Sequence, residues 1–281
     1  MVTKLPTVKL PSGEKVPQLG QGTWRMGENS RLRKEEVAAL KLGIDLGMTL
    51  IDTAEMYGTG NAEEIVAEAV AERRDECFIV SKVLPENSSR TSTIAACERS
   101  LKRLKTDRID LYLLHWRGRP PLGETLAAFH ALQEKGAIRY WGVSNFDVED
   151  MEELVRLDGG GGCASNQVLY NLRHRGIEAG LLPWCRQQTI PIMAYSPIEQ
   201  GRLLRDRVLT QVALRHRATT AQIALAWVLR QNDMLVIPKV TTLEHVRENR
   251  ASLDLKLTEQ DMAELDRGFP PPKGRRPLEL L

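Results

Sequence analysis

The sequence predicts an α/β fold: a closed (β/α)8 TIM barrel with an N-terminal β-hairpin and an extra C-terminal helix. Three observations predict it. Eight short apolar runs recur along the 281 residues, each followed by a connection to the next run that carries a helical pattern or a turn. The runs are apolar nearly end to end, as parallel strands are when helices cover both faces of their sheet. Such a barrel takes about 250 residues, and a 42% hydrophobic content supplies the core for one domain spanning residues 1–281.

The elements follow in order. "TVKL", a "PSG" turn and "KVPQLG" read as the hairpin. The strand runs are "LGQGT" (19–23), "TLIDT" (49–53), "CFIVSK" (77–82), "IDLYLLH" (109–115), "IRYWGVS" (138–144), "CASNQV" (163–168), "IPIMAYS" (190–196) and "MLVIPK" (234–239). Helical periodicity falls at 33–47, 61–74, 91–104, 122–136, 147–157, 176–188, 220–231 and 242–253, and "TEQDMAELDR" (258–267) adds the last helix. Asn61 with Glu64 three residues on predicts a capping box. "GGGG" (159–162) is a flexible loop before the sixth strand.

An open, doubly wound sheet is the competing architecture. It binds dinucleotides through GxGxxG, and "GQGTWR" (20–25) lacks the third glycine. No P-loop occurs either.

Charge and cysteines bound the function. Lys and Arg total 39 and Asp and Glu 37, a net charge of +2. No basic field is present to recruit nucleic acid. No run reaches the roughly 18 apolar residues of a membrane span, and the N-terminus has no signal-type core. The expectation is a cytoplasmic monomer. Cys77, Cys97, Cys163 and Cys185 are widely spaced and read as reduced core thiols.

Barrel chemistry sits at the C-terminal ends of strands. Three consecutive runs end on ionisable residues: Asp52, Lys82 and His115. Alternation puts Lys82 with Val80 and Phe78, and His115 with Leu113 and Leu111. Tyr57 follows Asp52 in the next loop. Alone, Asp52 reads as a turn former, Tyr57 as packing and Lys82 as surface. Together, on strands about 4.8 Å apart, they form a candidate catalytic cluster.

These residues lie in "GQGTW", "LIDTAEMYG", "IVSK", "LKRLKTDRIDLYLLHW", "WGVSNF", "NQVLYN", "MAYSP" and "VIPK…EN". In order and spacing the segments resemble the aldo-keto reductase superfamily over nearly the whole chain. "LIDTAEMY" and "NQVLYNL" are most similar to bacterial members of the methylglyoxal-reductase type. The resemblance implies reduction of aldehydes and ketones with NADPH, and assigns the tetrad to Asp52, Tyr57, Lys82 and His115.

In that chemistry a hydride reaches the carbonyl carbon and a proton must reach the oxygen. A phenol of pKa near 10 is a weak acid at neutral pH. Lys82 is expected to lower it by favouring the phenolate, with Asp52 holding Lys82 and His115 orienting the oxygen.

The resemblance also implies the cofactor contacts. Thr23 and Trp24 follow the first strand; Ser144, Asn145 and Gln167 would hold the carboxamide. Tyr195 would stack on the nicotinamide ring, and Ser196 and Ile198 would meet the pyrophosphate. Lys239, Thr241, Thr242 and His245 lie toward the 2′-phosphate, and Glu248 and Asn249 toward adenine. Val240 and His245 depart from the family pattern, which has Ser and Arg there. A histidine titrates near physiological pH, so phosphate affinity is expected to fall as pH rises. Trp24, Met56 and Trp116 are expected to wall an open substrate pocket, with Arg117 or Arg119 near its rim and Met26 close by. No metal is expected. A regulatory nicotinamide-binding subunit of the same fold and a barrel hydrolase are the alternative readings.

Overall fold

The computed structural model describes residues 5–239 and 242–281. Strands β1 (Thr7–Lys9) and β2 (Lys15–Pro17) form the antiparallel hairpin, with Val8 opposite Val16. Eight parallel strands follow: β3 (Gln21–Gly22), β4 (Leu50–Asp52), β5 (Phe78–Val83), β6 (Ile109–Leu114), β7 (Ile138–Ser144), β8 (Asn166–Leu169), β9 (Ile192–Tyr195) and β10 (Met234–Val236). Each pairs with the next in chain order. Parallel bridges Leu19–Val236 and Gly22–Lys239 join the two ends of the row. The N–H of Gly22 donates to the Pro238 carbonyl at 2.9 Å. A Cβ at Gly22 would stand 2.9 Å from the Ile237 carbonyl oxygen, so closure here requires glycine.

The strands divide their side chains by alternation. Leu50, Phe78, Val80, Leu111, Leu113, Met193 and Leu235 point inward, and Val8, Leu10 and Val16 of the hairpin join them. The hairpin packs at the start of the strands and plugs that end of the barrel. Ile51, Ile79, Tyr112, Leu114 and Val143 point outward into the larger core beneath the helices.

Ten helices are described: α1 (Arg33–Asp45), α2 (Asn61–Val70), α3 (Arg90–Leu104), α4 (Leu122–Glu134), α5 (Val148–Arg156), α6 (Leu181–Gln187), α7 (Arg207–His216), α8 (Thr220–Leu229), α9 (Leu243–Ala251) and α10 (Glu259–Gly268). Two details depart from the sequence reading. Asn61 is the first helical residue, not the cap. Gly60 precedes it with φ 92°, and the Asn61 amide donates to the Gly27 carbonyl at 3.2 Å instead. Helix α7 is additional. Charges at both of its ends blur the apolar spacing of "RVLTQVALRH", yet Asp206 caps it and Leu209, Val212 and Ala213 are buried. No helix among the described residues is long and apolar enough to cross a membrane. The four cysteines are buried free thiols.

Candidate active site

The register places the tetrad residues on a diagonal. Asp52 pairs with Val80 on β5, and Lys82 pairs with Leu113 on β6. Each inward acid or base therefore stands one pleat above its predecessor. The long lysine stem spans that step by reaching back. Lys82 Nζ lies 2.8 Å from Asp52 Oδ1. It also donates to the Thr53 carbonyl at 2.9 Å and to the Tyr57 hydroxyl at 3.1 Å. Lys82 is wholly buried, and Asp52, Tyr57 and His115 nearly so.

Tyr57 arrives from the loop after β4. Its N–H donates to the Ala54 carbonyl at 3.1 Å, closing a turn that swings the ring back over the strand ends. Lys82 Nζ stands 4.7 Å from the centre of that ring. The His115 ring lies 5.9 Å from Tyr57, edge to face.

Burial raises the Tyr57 pKa, and Lys82 pulls it down against the weaker opposition of Asp52; the net direction is up. Lys82 thus acts in the sense the sequence suggests, but burial outweighs it. Burial pulls Lys82 toward neutrality, while Asp52 and Tyr57 push it the other way, and it ends raised. Burial raises Asp52 against Lys82 and Gln167. Burial and then Lys82 depress His115 to about 2. The imidazole is therefore neutral at pH 7 and carries a single N–H. Its Nδ1 is buried without a hydrogen-bond partner among the described residues.

The predicted carboxamide residues form one polar arc beside this group. Gln167 Nε2 donates to Asp52 Oδ1 at 2.7 Å and lies 2.9 Å from Met193 Sδ. Ser144 Oγ donates to the Gln167 carbonyl at 2.8 Å. Asn145 Nδ2 donates to the His115 carbonyl at 3.0 Å. The Tyr195 hydroxyl donates to Asn145 Oδ1 at 3.0 Å, and burial, the larger cause, pushes its pKa up to about 12. Thr23 Oγ1 donates to the Asp52 carbonyl at 2.9 Å. Asn145 and Ser196 both have positive φ, 59° and 47°, the strained backbone that gathers at binding sites. Ile198 is half-buried and packs on the outer core.

A second group lies at the exit of β10 and on α9. Lys239 is half-buried and bridges to Gly22. Burial and the nearby Arg25 depress its pKa, while Glu36 and Glu28 oppose them. Thr242 caps α9, its hydroxyl accepting from the His245 N–H at 3.2 Å. His245 is exposed in the first turn, and Glu248 is half-buried. Asn249 is buried and its Nδ2 has no partner among the described residues. Val240 and Thr241 lie outside the described residues.

Trp24 and Trp116 flank the tetrad. Trp24 is 37% exposed and stands edge-on to Tyr57 at 4.9 Å. Trp116 tilts against His115 at 4.8 Å. Met56 is half-buried on the outer core, and Met26 is fully buried; Met26 is core packing. Arg117 is committed to Glu153, with two contacts of 2.8 Å. Sequence reasoning missed two contributors: the Thr53 carbonyl that receives Lys82, and the bond from Gln167 to Asp52. Main-chain acceptors leave no residue-type signal, and the second contact joins positions 115 residues apart.

The Aldo/keto reductase family model matches residues 18–268. Methylglyoxal reductase YeaE of Escherichia coli K12 is 51% identical over 271 residues, covering 95% of each chain. Glyoxal reductase of Bacillus subtilis is 38% identical, covering 92% of this chain and 91% of its own. A Klebsiella pneumoniae aldo-keto reductase crystallised with NADPH superposes with a TM-score of 0.96 at 49% identity, over the full length of both chains. The chain belongs to the aldo/keto reductase family.

Proposed function

We propose that this protein reduces aldehydes and ketones to alcohols with NADPH, methylglyoxal among them, and that Tyr57 is the general acid. The carrying observation is one ammonium, Lys82 Nζ, in contact with both the Asp52 carboxylate and the Tyr57 hydroxyl at the open end of the barrel. The match to a methylglyoxal reductase at 51% identity supports the substrate.

The residues present fit the cofactor. Ser144, Asn145 and Gln167 would hold the carboxamide, and the half-buried Tyr195 would face the ring. Thr23 and Trp24 would border it, with Ser196 and Ile198 at the pyrophosphate. Lys239, Thr242 and His245 would meet the 2′-phosphate. Glu248 and Asn249 would meet adenine, where the orphaned Asn249 Nδ2 is a donor awaiting a base. When bound, the cofactor supplies the hydride that reaches the carbonyl carbon.

The chain's own residues handle the proton. Burial keeps the proton on Tyr57 at neutral pH, so the acid is loaded before the reaction. As negative charge grows on the carbonyl oxygen, the Tyr57 O–H bond breaks and a new O–H bond forms on substrate. Lys82 stabilises the phenolate left behind, and solvent returns the proton. A neutral His115 donates its one N–H to the same oxygen and orients it. Trp24 and Trp116 exclude water on either side, with Met56 behind the Tyr57 turn. As part of this reading, residues 1–281 form one barrel domain that works as a cytoplasmic monomer; four unpaired buried thiols support a reducing compartment.

The test is NADPH consumption with methylglyoxal and a panel of aromatic aldehydes, comparing wild type with Tyr57→Phe. Turnover in the wild type that vanishes in the variant, with NADPH affinity retained, is expected. Equal turnover in both would remove Tyr57 from the reaction.

A further inference from the structure

Glu55 stands between Asp52 and Tyr57 in the chain, and neither the proton transfer nor the cofactor contacts use it. Its side chain is only 7% exposed. Oε1 accepts from the Leu84 N–H at 2.8 Å and from Asn87 Nδ2 at 3.0 Å. Oε2 lies 3.7 Å from the half-exposed Arg99 guanidinium. Its own N–H points to the Lys82 carbonyl at 3.4 Å.

These contacts have a direction. The N–H and Oε1 contacts run from the turn that carries Tyr57 to the exit of β5, which carries Lys82, and to the short turn after it, while Oε2 faces Arg99 on α3. The turn is tied to that exit at Thr53 by Lys82 Nζ, at Glu55 by its N–H and at Glu55 again by its carboxylate. Among the described residues, the last of these ties is the one made by a side chain outside the tetrad. It lies two residues from Tyr57 and ends two residues from Lys82. A proton donor works only when its distance to the stabilising ammonium is held during the reaction.

We propose that Glu55 is a positioning residue that holds the Tyr57 turn against β5 and so sets the distance between Tyr57 and Lys82. The carboxylate acts as a double acceptor and not through its charge. An amide oxygen also accepts two hydrogen bonds, so Glu55→Gln keeps the tie and Glu55→Ala removes it.

The kinetic arm of the test rests on the reductase reading; a second arm does not. In the first, Glu55→Ala lowers kcat about ten- to a hundredfold while NADPH Kd stays within about twofold, and Glu55→Gln restores kcat to within about threefold. In the second, the chain is labelled at tyrosine Cζ. With 5 tyrosines present, Tyr57→Phe assigns the Tyr57 resonance. That resonance shifts in Glu55→Ala and returns in Glu55→Gln. An unmoved resonance in a folded Glu55→Ala overturns the proposal. So does a Glu55→Gln enzyme as impaired as Glu55→Ala, which would assign the effect to charge. Wild-type inactivity on every aldehyde would remove the reductase reading, and the resonance would still decide the role of Glu55. Should Glu55→Ala fail to fold, Asn87→Ala deletes one of the two donors. Its Tyr57 resonance moves in the same direction by less, and no movement there refutes the tie.

Discussion

The Gln167 amide donates to Oδ1 of Asp52 across 2.7 Å, and the two residues sit on strands at opposite sides of the barrel. β8 and β4 are separated by three strands in the row. The bond crosses the open end and completes the shell around the buried carboxylate. Gln167→Leu leaves that oxygen without its amide donor. Lys82 Nζ, 2.8 Å away, remains as its partner, so unfolding free energy should drop by about 1.5–3 kcal/mol, the net contribution of one hydrogen bond to a charged group. Denaturant titration of the two proteins checks it; coincident curves would show that the bond adds nothing.

Asp52 and Lys82 should behave as a coupled pair. Lys82→Met strands a carboxylate in a nearly fully buried site, at a cost of about 3–5 kcal/mol. Adding Asp52→Asn removes the stranded charge and should recover most of the loss. Turnover should not recover, because Tyr57 still lacks its ammonium. A double variant no more stable than Lys82→Met would mean that the pair is not the source of the cost.

Acid should destabilise the fold through His115. Its pKa falls from the ordinary imidazole value to about 2 on folding, chiefly by burial. Between those values the unfolded chain binds a proton that the folded one does not. The stability contribution is thus full above about pH 6.5 and drains as pH falls, amounting to about 3 kcal/mol by pH 4. His115→Gln lacks that proton. Its stability relative to wild type should rise steadily as the solution is acidified, as read by chemical denaturation at several pH values. A gap independent of pH would show that His115 protonates in the folded protein.

Part of this was legible in the chain. The strands were readable because residues buried on both faces must be apolar, so each strand is a bounded apolar run. The inward face was readable because alternation has period two, which put Lys82 with Phe78 and Val80. Helix α7 escaped because its apolar face is short and its ends are charged. Asn61 misled because its side chain had a better partner in the Gly27 carbonyl than in the helix end.

By itself, then, the sequence determined the barrel, the family and the candidate residues Asp52, Lys82 and His115 at successive strand ends, with Tyr57 in the loop after the first of them. These follow from local periodicity and residue type, which each segment carries alone. Tertiary structure decided the rest. The barrel's stagger set Asp52 one pleat below Lys82, and closure brought Gln167 across to Asp52. Burial reversed the expected direction of the Tyr57 pKa. Each depends on how much water and which distant partner the folded chain leaves beside a group, and no segment holds that information alone.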